Sequence, residues 1–102
     1  MLLNYPALAV ALGIPNLQEH LRGSARRRPT RSRIICDVRR ACAALLVEQG
    51  YAYRTVAHEL RCDPSATSYF VRSHTNLLAS SDTTYTHLFT TIHDVSHSAF
   101  LV

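Results

Sequence analysis

The stretch GYAYRTVAHELRCDPSATSYFVRSHTNLL, residues 50–78, decides the fold. Gly50 stops whatever precedes it, and Tyr53 to Leu60 then sets Val56, Ala57 and Leu60 at helical spacing on one inward face. Arg61-Cys62 is long enough only for a tight turn. Asp63-Pro64 is a strong helix start: the aspartate can accept from the orphan amides, and proline sits where no amide donor is needed. The helix that follows is expected from Pro64 to about Leu78. Thr67, Phe70 or Val71, His74 and Leu78 would face inward, and Ser65, Ala66, Tyr69, Arg72 and Ser73 outward. A short helix, a tight turn and a capped second helix with a polar outer face make a helix-turn-helix. A helix so presented fits the major groove of a duplex, where base edges are distinguishable. Its first turn also points amide donors and a positive dipole end at phosphates.

Upstream lies the longest helical signal, from about Ser32 to Gln49, with Ile35, Val38, Cys42, Leu45 and Gln49 on one stripe. Arg33, Asp37 and Arg40 should be exposed beside it, and Asp37 can pair with Arg33 or Arg40 along that face. Before it, the stretch from Gly23 to Thr30 has no apolar period and reads as a basic loop. Two short helices precede the loop. One runs from Tyr5 to Leu12, with Asn4 as cap, Pro6 in its first turn and Gly13 as stop. The other starts after Asn16, ends near Leu21 and is closed by Gly23. A final helix starts after Asp82 and gathers Tyr85, Leu88, Phe89 and Ile92 on one face, with a loose tail from Ser96. No strand pair with hairpin chemistry is visible. The expected class is therefore all-α: a compact bundle of five to six helices, one domain over residues 1–95 and a tail over 96–102.

The charge is uneven. The chain has 102 residues, eleven arginines, no lysine and a formal charge of +4. Eight of those arginines fall between Arg22 and Arg40, opposed only by Asp37. A block of this kind invites a polyanion, and phosphate backbone is the commonest one inside cells. The three cysteines, Cys36, Cys42 and Cys62, do not form a secreted disulfide framework. No stretch reaches the length of a membrane span, and the apolar start, broken by Pro6 and Pro15, lacks the basic region of a signal peptide. The expected compartment is cytoplasm or nucleoid.

Arg31 to Leu78 resembles the C-terminal duplex-binding domain of the bacterial replication initiator DnaA. Arg31-Ser32-Arg33 matches the basic approach to that family's long helix, and Val38-Arg39-Arg40-Ala41-Cys42 resembles the part of it that carries a characteristic Arg. Gly50-Tyr51-Ala52-Tyr53-Arg54-Thr55-Val56-Ala57 follows the pattern Gly-Leu-Ser-Leu-Pro-Glu-Ile-Gly. Asp63-Pro64-Ser65-Ala66 stands where the family has Asp-His-Ser/Thr-Thr, Tyr69 falls on its second His, and Arg72 on an Arg. The segment from Asp82 to Ile92 resembles its closing helix.

The resemblance implies a Trp-repressor-like helix-turn-helix and assigns roles. Arg31 would enter the minor groove. Arg33, Arg39 and Arg40 would hold phosphates, within a basic segment spanning 26–40. Asp63, Ser65 and Ala66 would sit at base edges in the major groove, and Tyr69 and Arg72 near the backbone. On this reading Arg31→Ala and Arg39→Ala weaken binding without unfolding the domain. Three departures qualify it. Pro64 replaces a base-reading His, Ala66 replaces a Thr, and the family's Gly-Gly-Arg turn is shortened to Arg61-Cys62. The basic loop is also longer, by about five residues. The module would then read another sequence, bind mainly through phosphates, or have become a scaffold without DNA readout. The family's ATPase machinery has no counterpart: no Gly-rich Walker loop and no Lys to serve one.

Rival chemistries are thinner. His93 and His97, His58 and Cys62, and Cys36 and Cys42 are spaced pairs without a third ligand, better read as packing and surface residues than as a metal site. Cys62 beside a helix start has only His58 as a candidate base, so no enzyme is expected and no cofactor is implied. The serious rival is a helical protein-interaction module, its partner meeting helix 82–95 through Tyr85, Leu88, Phe89 and Ile92.

Overall fold

Six helices form in the computed structural model, which describes residues 2–24 and 32–98. Among the described residues there is no strand. They are α1 (Tyr5–Leu12), α2 (Leu17–Arg22), α3 (Arg33–Glu48), α4 (Tyr53–Leu60), α5 (Pro64–Ala79) and α6 (Thr83–Ser98). The all-α class and the order of helices expected from the sequence both hold. Most of the basic loop, including Arg26 to Arg28, lies outside the described residues, as do Arg31 and the chain after residue 98. Helix α6 continues through Ser98, past the point near Ser96 where a loose tail was expected.

Local chemistry sets the boundaries. Asn4 Oδ1 accepts from the Ala7 amide at 3.1 Å and starts α1. Ser32 Oγ accepts from Ile35 at 3.4 Å ahead of α3, and Asp82 Oδ1 from Tyr85 at 2.9 Å ahead of α6. Gly50, at φ 99°, lets the chain leave α3 in a conformation that side chains with a Cβ avoid. Two expected caps work differently. Asn16 precedes α2 with φ 58° and no side-chain bond to the helix, so it serves as a residue tolerant of the left-handed region. The Asp63 carboxylate makes no cap bond either; its main-chain carbonyl accepts from Ala66 at 2.9 Å and Thr67 at 3.2 Å.

Helix α3 is the axis of the molecule. It touches α2, α4, α5 and α6, and α1 closes the remaining side against α2 and α6. Ala41 through Leu46 are all buried, so the middle of α3 is enclosed on every face and not along the single stripe that its periodicity implies. The small side chains of Ala41, Ala43 and Ala44 are what let neighbours approach from all sides. Around it pack Tyr5, Leu8, Leu17, Leu21, Val56, Leu60, Tyr85 and Ile92, all at most 2% exposed. Burying each such aliphatic side chain contributes about 1.5–3 kcal/mol.

Three polar pins cross this core. Arg39 is only 8% exposed, and its guanidinium donates to the main-chain carbonyls of His20 at 3.3 Å and Leu21 at 3.1 Å. A cation there meets the negative end of α2 and satisfies carbonyls that the helix leaves open. Glu59 is 6% exposed and accepts from the Tyr5 hydroxyl at 2.6 Å and the Leu2 amide at 3.2 Å, tying the chain start to α4. Burial and the Glu59 carboxylate push the Tyr5 phenol well above its ordinary range. His74, buried on α5, places Nδ1 2.6 Å from the Tyr85 hydroxyl of α6, with its ring edge-on to Phe89 at 4.5 Å.

Candidate nucleic-acid interface

Helix α4, its turn and α5 form the helix-turn-helix that the spacing predicts. Val56, Ala57 and Leu60 anchor α4 inward, and Thr67 and His74 are the buried positions of α5. The turn closes because Arg61 adopts φ 53°, ψ 52°, and the Cys62 amide then reaches back to the Ala57 carbonyl at 2.9 Å. Cys62 lies under the start of α5, with Sγ 3.8 Å from Thr67 Oγ1. Burial raises its thiol pKa, the opposite of what a reactive cysteine at a helix start needs.

The outward faces are polar and continuous. On α4, Arg54 and His58 are exposed four residues apart, and Arg61 is exposed in the turn that follows. On α5, Ser65, Tyr69, Arg72 and Asn76 are exposed and form one stripe along the helix, with Tyr69 at 56%. Ala66 is half-buried at its edge, and Asp63 is exposed in the turn. Among the described residues, the side chains of Arg54, Arg61 and Arg72 have no hydrogen bond or ion pair, and Asp63 is the one exposed carboxylate from Tyr53 to Ala79. Three arginines are thus left open beside a stripe of serine, tyrosine and asparagine, side chains that donate to phosphates and pair with base edges. Leu78, expected inward, is 38% exposed; Leu77 packs on the core instead.

The arginines of α3 do not join this surface as a group. Arg39 is withdrawn into the core by its two carbonyl bonds, so it cannot hold a phosphate, and its substitution would damage the fold. Arg40 was expected to be exposed. Its side chain is 14% exposed, ion-paired with Asp37 and lying over the Tyr85 ring at 6.0 Å. Arg33 is exposed on the first turn of α3, in a cleft shared with Ser73 and Leu77. It therefore meets the later half of α5, away from Ser65. Arg31 lies outside the described residues. The expected site divides into an open part on α5 and its turn, a paired part at Arg40, and a buried part at Arg39.

Arg54, Arg61 and Asn76 were not among the residues singled out in the sequence. Each carried a signal. Arg54 stands on a helix whose inward face was already assigned, Arg61 is a charged residue of the expected tight turn, and Asn76 continues the Ser65, Tyr69, Arg72 spacing by one more turn.

The face of α6 expected to meet a protein partner is used internally. Tyr85 and Ile92 are fully buried, and Leu88 and Phe89 pack against the same core. Among the described residues no helix is long and apolar enough to cross a membrane, and no group of three metal-ligating side chains gathers. No family model, curated protein or solved structure matches this chain.

Proposed function

We propose that this chain binds double-stranded DNA, with α5 lying in the major groove and α4 and the turn against the backbone. The observation that carries the reading is the open stripe Ser65, Tyr69, Arg72 and Asn76, flanked by Arg61 and Arg54. Asn76 has the donor and acceptor pair for an adenine edge, Arg72 can reach the backbone phosphates, and Ser65 can serve either a base or a phosphate. Arg61, beside the amino-terminal turn of α5, adds charge where amides and the helix dipole already favour an anion. The resemblance to the DnaA C-terminal domain supports a place for α5 at the duplex; the phosphate contacts it implies for Arg39 and Arg40 do not carry over, because one is buried and the other ion-paired. A role at replication or transcription sites, and a nucleoid-associated cytoplasmic location, follow from this reading.

The test is fluorescence anisotropy with a random duplex across roughly 50–200 mM salt, where phosphate-led binding weakens steeply. Arg61→Gly is a useful variant because its left-handed backbone favours glycine, so charge is removed without disturbing the turn. Arg61→Gly and Arg72→Ala should each lower the log–log salt slope by about one and leave the melting temperature unchanged. Wild-type slopes in both variants, or no duplex binding at low salt, would reject the proposal. Selection from the random pool separates modes: an enriched motif lost in Asn76→Ala indicates base readout, and none indicates phosphate-led binding.

A further inference from the structure

Helices α1 and α3 both pack on α6 but not on each other. A cleft of about 480 Å³ is left between them, within the roughly 300–1,000 Å³ range of small-molecule sites. Its walls are largely apolar: Ala11 and Leu12 from α1, Ile34 from α3 and Leu88 from α6. Leu88 also packs on the core, so the floor is fixed. Ile34 is 54% exposed and Ala11 is open beside it, which leaves apolar surface uncovered at the cleft. The polar groups of the lining differ in what they have left to give. Asp37 is ion-paired with Arg40, and Thr91 Oγ1 donates to the His87 carbonyl at 3.0 Å. The side chains of Arg33, Thr84 and His87 are exposed and have no hydrogen bond or ion pair among the described residues. The unspent groups are a guanidinium, a hydroxyl and an imidazole, all able to donate. With Asp37 neutralised by Arg40, Arg33 sets the sign of the cleft and favours an anion.

We infer that this cleft binds a small organic carboxylate with a compact apolar body, an aryl or branched-alkyl acid. The body lies against Ala11, Leu12, Ile34 and Leu88, and the carboxylate meets the planar Arg33 fork, with Thr84 or His87 as a second donor. A bare inorganic anion would leave the apolar walls wet, and a neutral hydrocarbon would leave Arg33 unpaired. Only a molecule that carries both parts uses the whole lining. Arg33 stands on the ridge between this cleft and the one it shares with Ser73 and Leu77, so its long side chain can reach either. The cleft lies among α1, α3 and α6, apart from the α4–α5 surface, and does not depend on duplex binding.

Amide NMR titration of the full chain with phenylacetate, 4-methylpentanoate and the neutral phenylacetamide tests it. Both acids should give saturable shifts confined to the amides around Ala11, Ile34 and Leu88. Phenylacetamide, which has the same ring without the charge, should bind about tenfold more weakly. Arg33→Gln should weaken the acids by about the same factor and leave the amide unchanged, because it removes the charge and keeps a donor. Ala11→Leu should abolish binding of all three by filling the cleft. Both positions are exposed, so the same spectra should show these variants folded. Shifts that never saturate, an amide that binds as well as the acid, or wild-type binding in either variant would overturn the site.

Discussion

Arg39 and Arg72 have the same side chain and opposite fates. Arg39 is buried on α3 and gives its donors to the end of α2; Arg72 stands open on α5 with no partner among the described residues. Yet Arg39 belongs to the dense basic block and Arg72 stands alone in sequence. Charge density along a chain is therefore a poor guide to charge available at a surface. What decides the matter is register. Ile35, Arg39, Cys42 and Leu46 fall on one line of α3, and all four are buried. A guanidinium on that line must find acceptors inside the fold, because leaving it unpaired there costs several kcal/mol.

The largest expected effect breaks this comparison if it fails. Arg39→Ala should destabilise the domain by about 3 kcal/mol, because two carbonyls lose their donor and a buried volume empties. Arg72→Ala should stay within about 0.5 kcal/mol of wild type. Urea denaturation of the two variants side by side measures the difference. Equal losses would mean that Arg39 is not a pin, or that Arg72 is not free.

A smaller effect sharpens the same contrast among tyrosines. Tyr5 donates to the buried Glu59 carboxylate, whereas Tyr69 is open on the α5 stripe. Tyr5→Phe keeps the ring and removes one donor from a buried acceptor, so it should cost about 1–2 kcal/mol. Tyr69→Phe should leave stability unchanged. A shift of the urea midpoint in Tyr69→Phe, or none in Tyr5→Phe, would contradict the assignment.

These contrasts explain what could be read from the sequence. Helix boundaries at Asn4, Gly13, Ser32, Gly50, Pro64 and Asp82 follow from local chemistry, which a short window contains. The outward set Ser65, Tyr69 and Arg72 was legible because α5 alternates polar and apolar residues at helical spacing. The enclosure of α3 was not. Its polar ends dilute the pattern, and a helix covered on all sides shows itself only through its neighbours. Nor were the roles of Arg39, Glu59 and Asp63 legible. Whether a charged residue is pinned inside, open, or capping depends on hydrogen-bond partners from 18 to 57 residues away, acceptors for Arg39 and donors for Glu59. For Asp63 it depends on a rotamer that spacing does not encode.

The third effect is the mildest and depends on pH, and it compares two faces of one helix. His74 lies inward on α5, directly behind the open stripe. Its pKa is lowered from 6.5, first by burial; Arg40 of α3 lowers it further and Glu48 of α3 opposes. From α6 it faces the Tyr85 hydroxyl and the Phe89 ring, neither of which supplies a negative charge to hold a proton. The unfolded chain therefore takes up this proton more readily than the folded one. Stability from this group is complete above about pH 6.5, the unfolded value, and is lost as pH falls from there toward the lower folded value. Wild type should lose urea resistance between about pH 7 and pH 5. His74→Gln keeps a polar group opposite Tyr85 without titrating. It should start less stable at neutral pH and fall less steeply over the same window. If His74→Gln kept the wild-type slope, the acid sensitivity would belong to other groups, and the inward face of α5 would lose its one titrating pin.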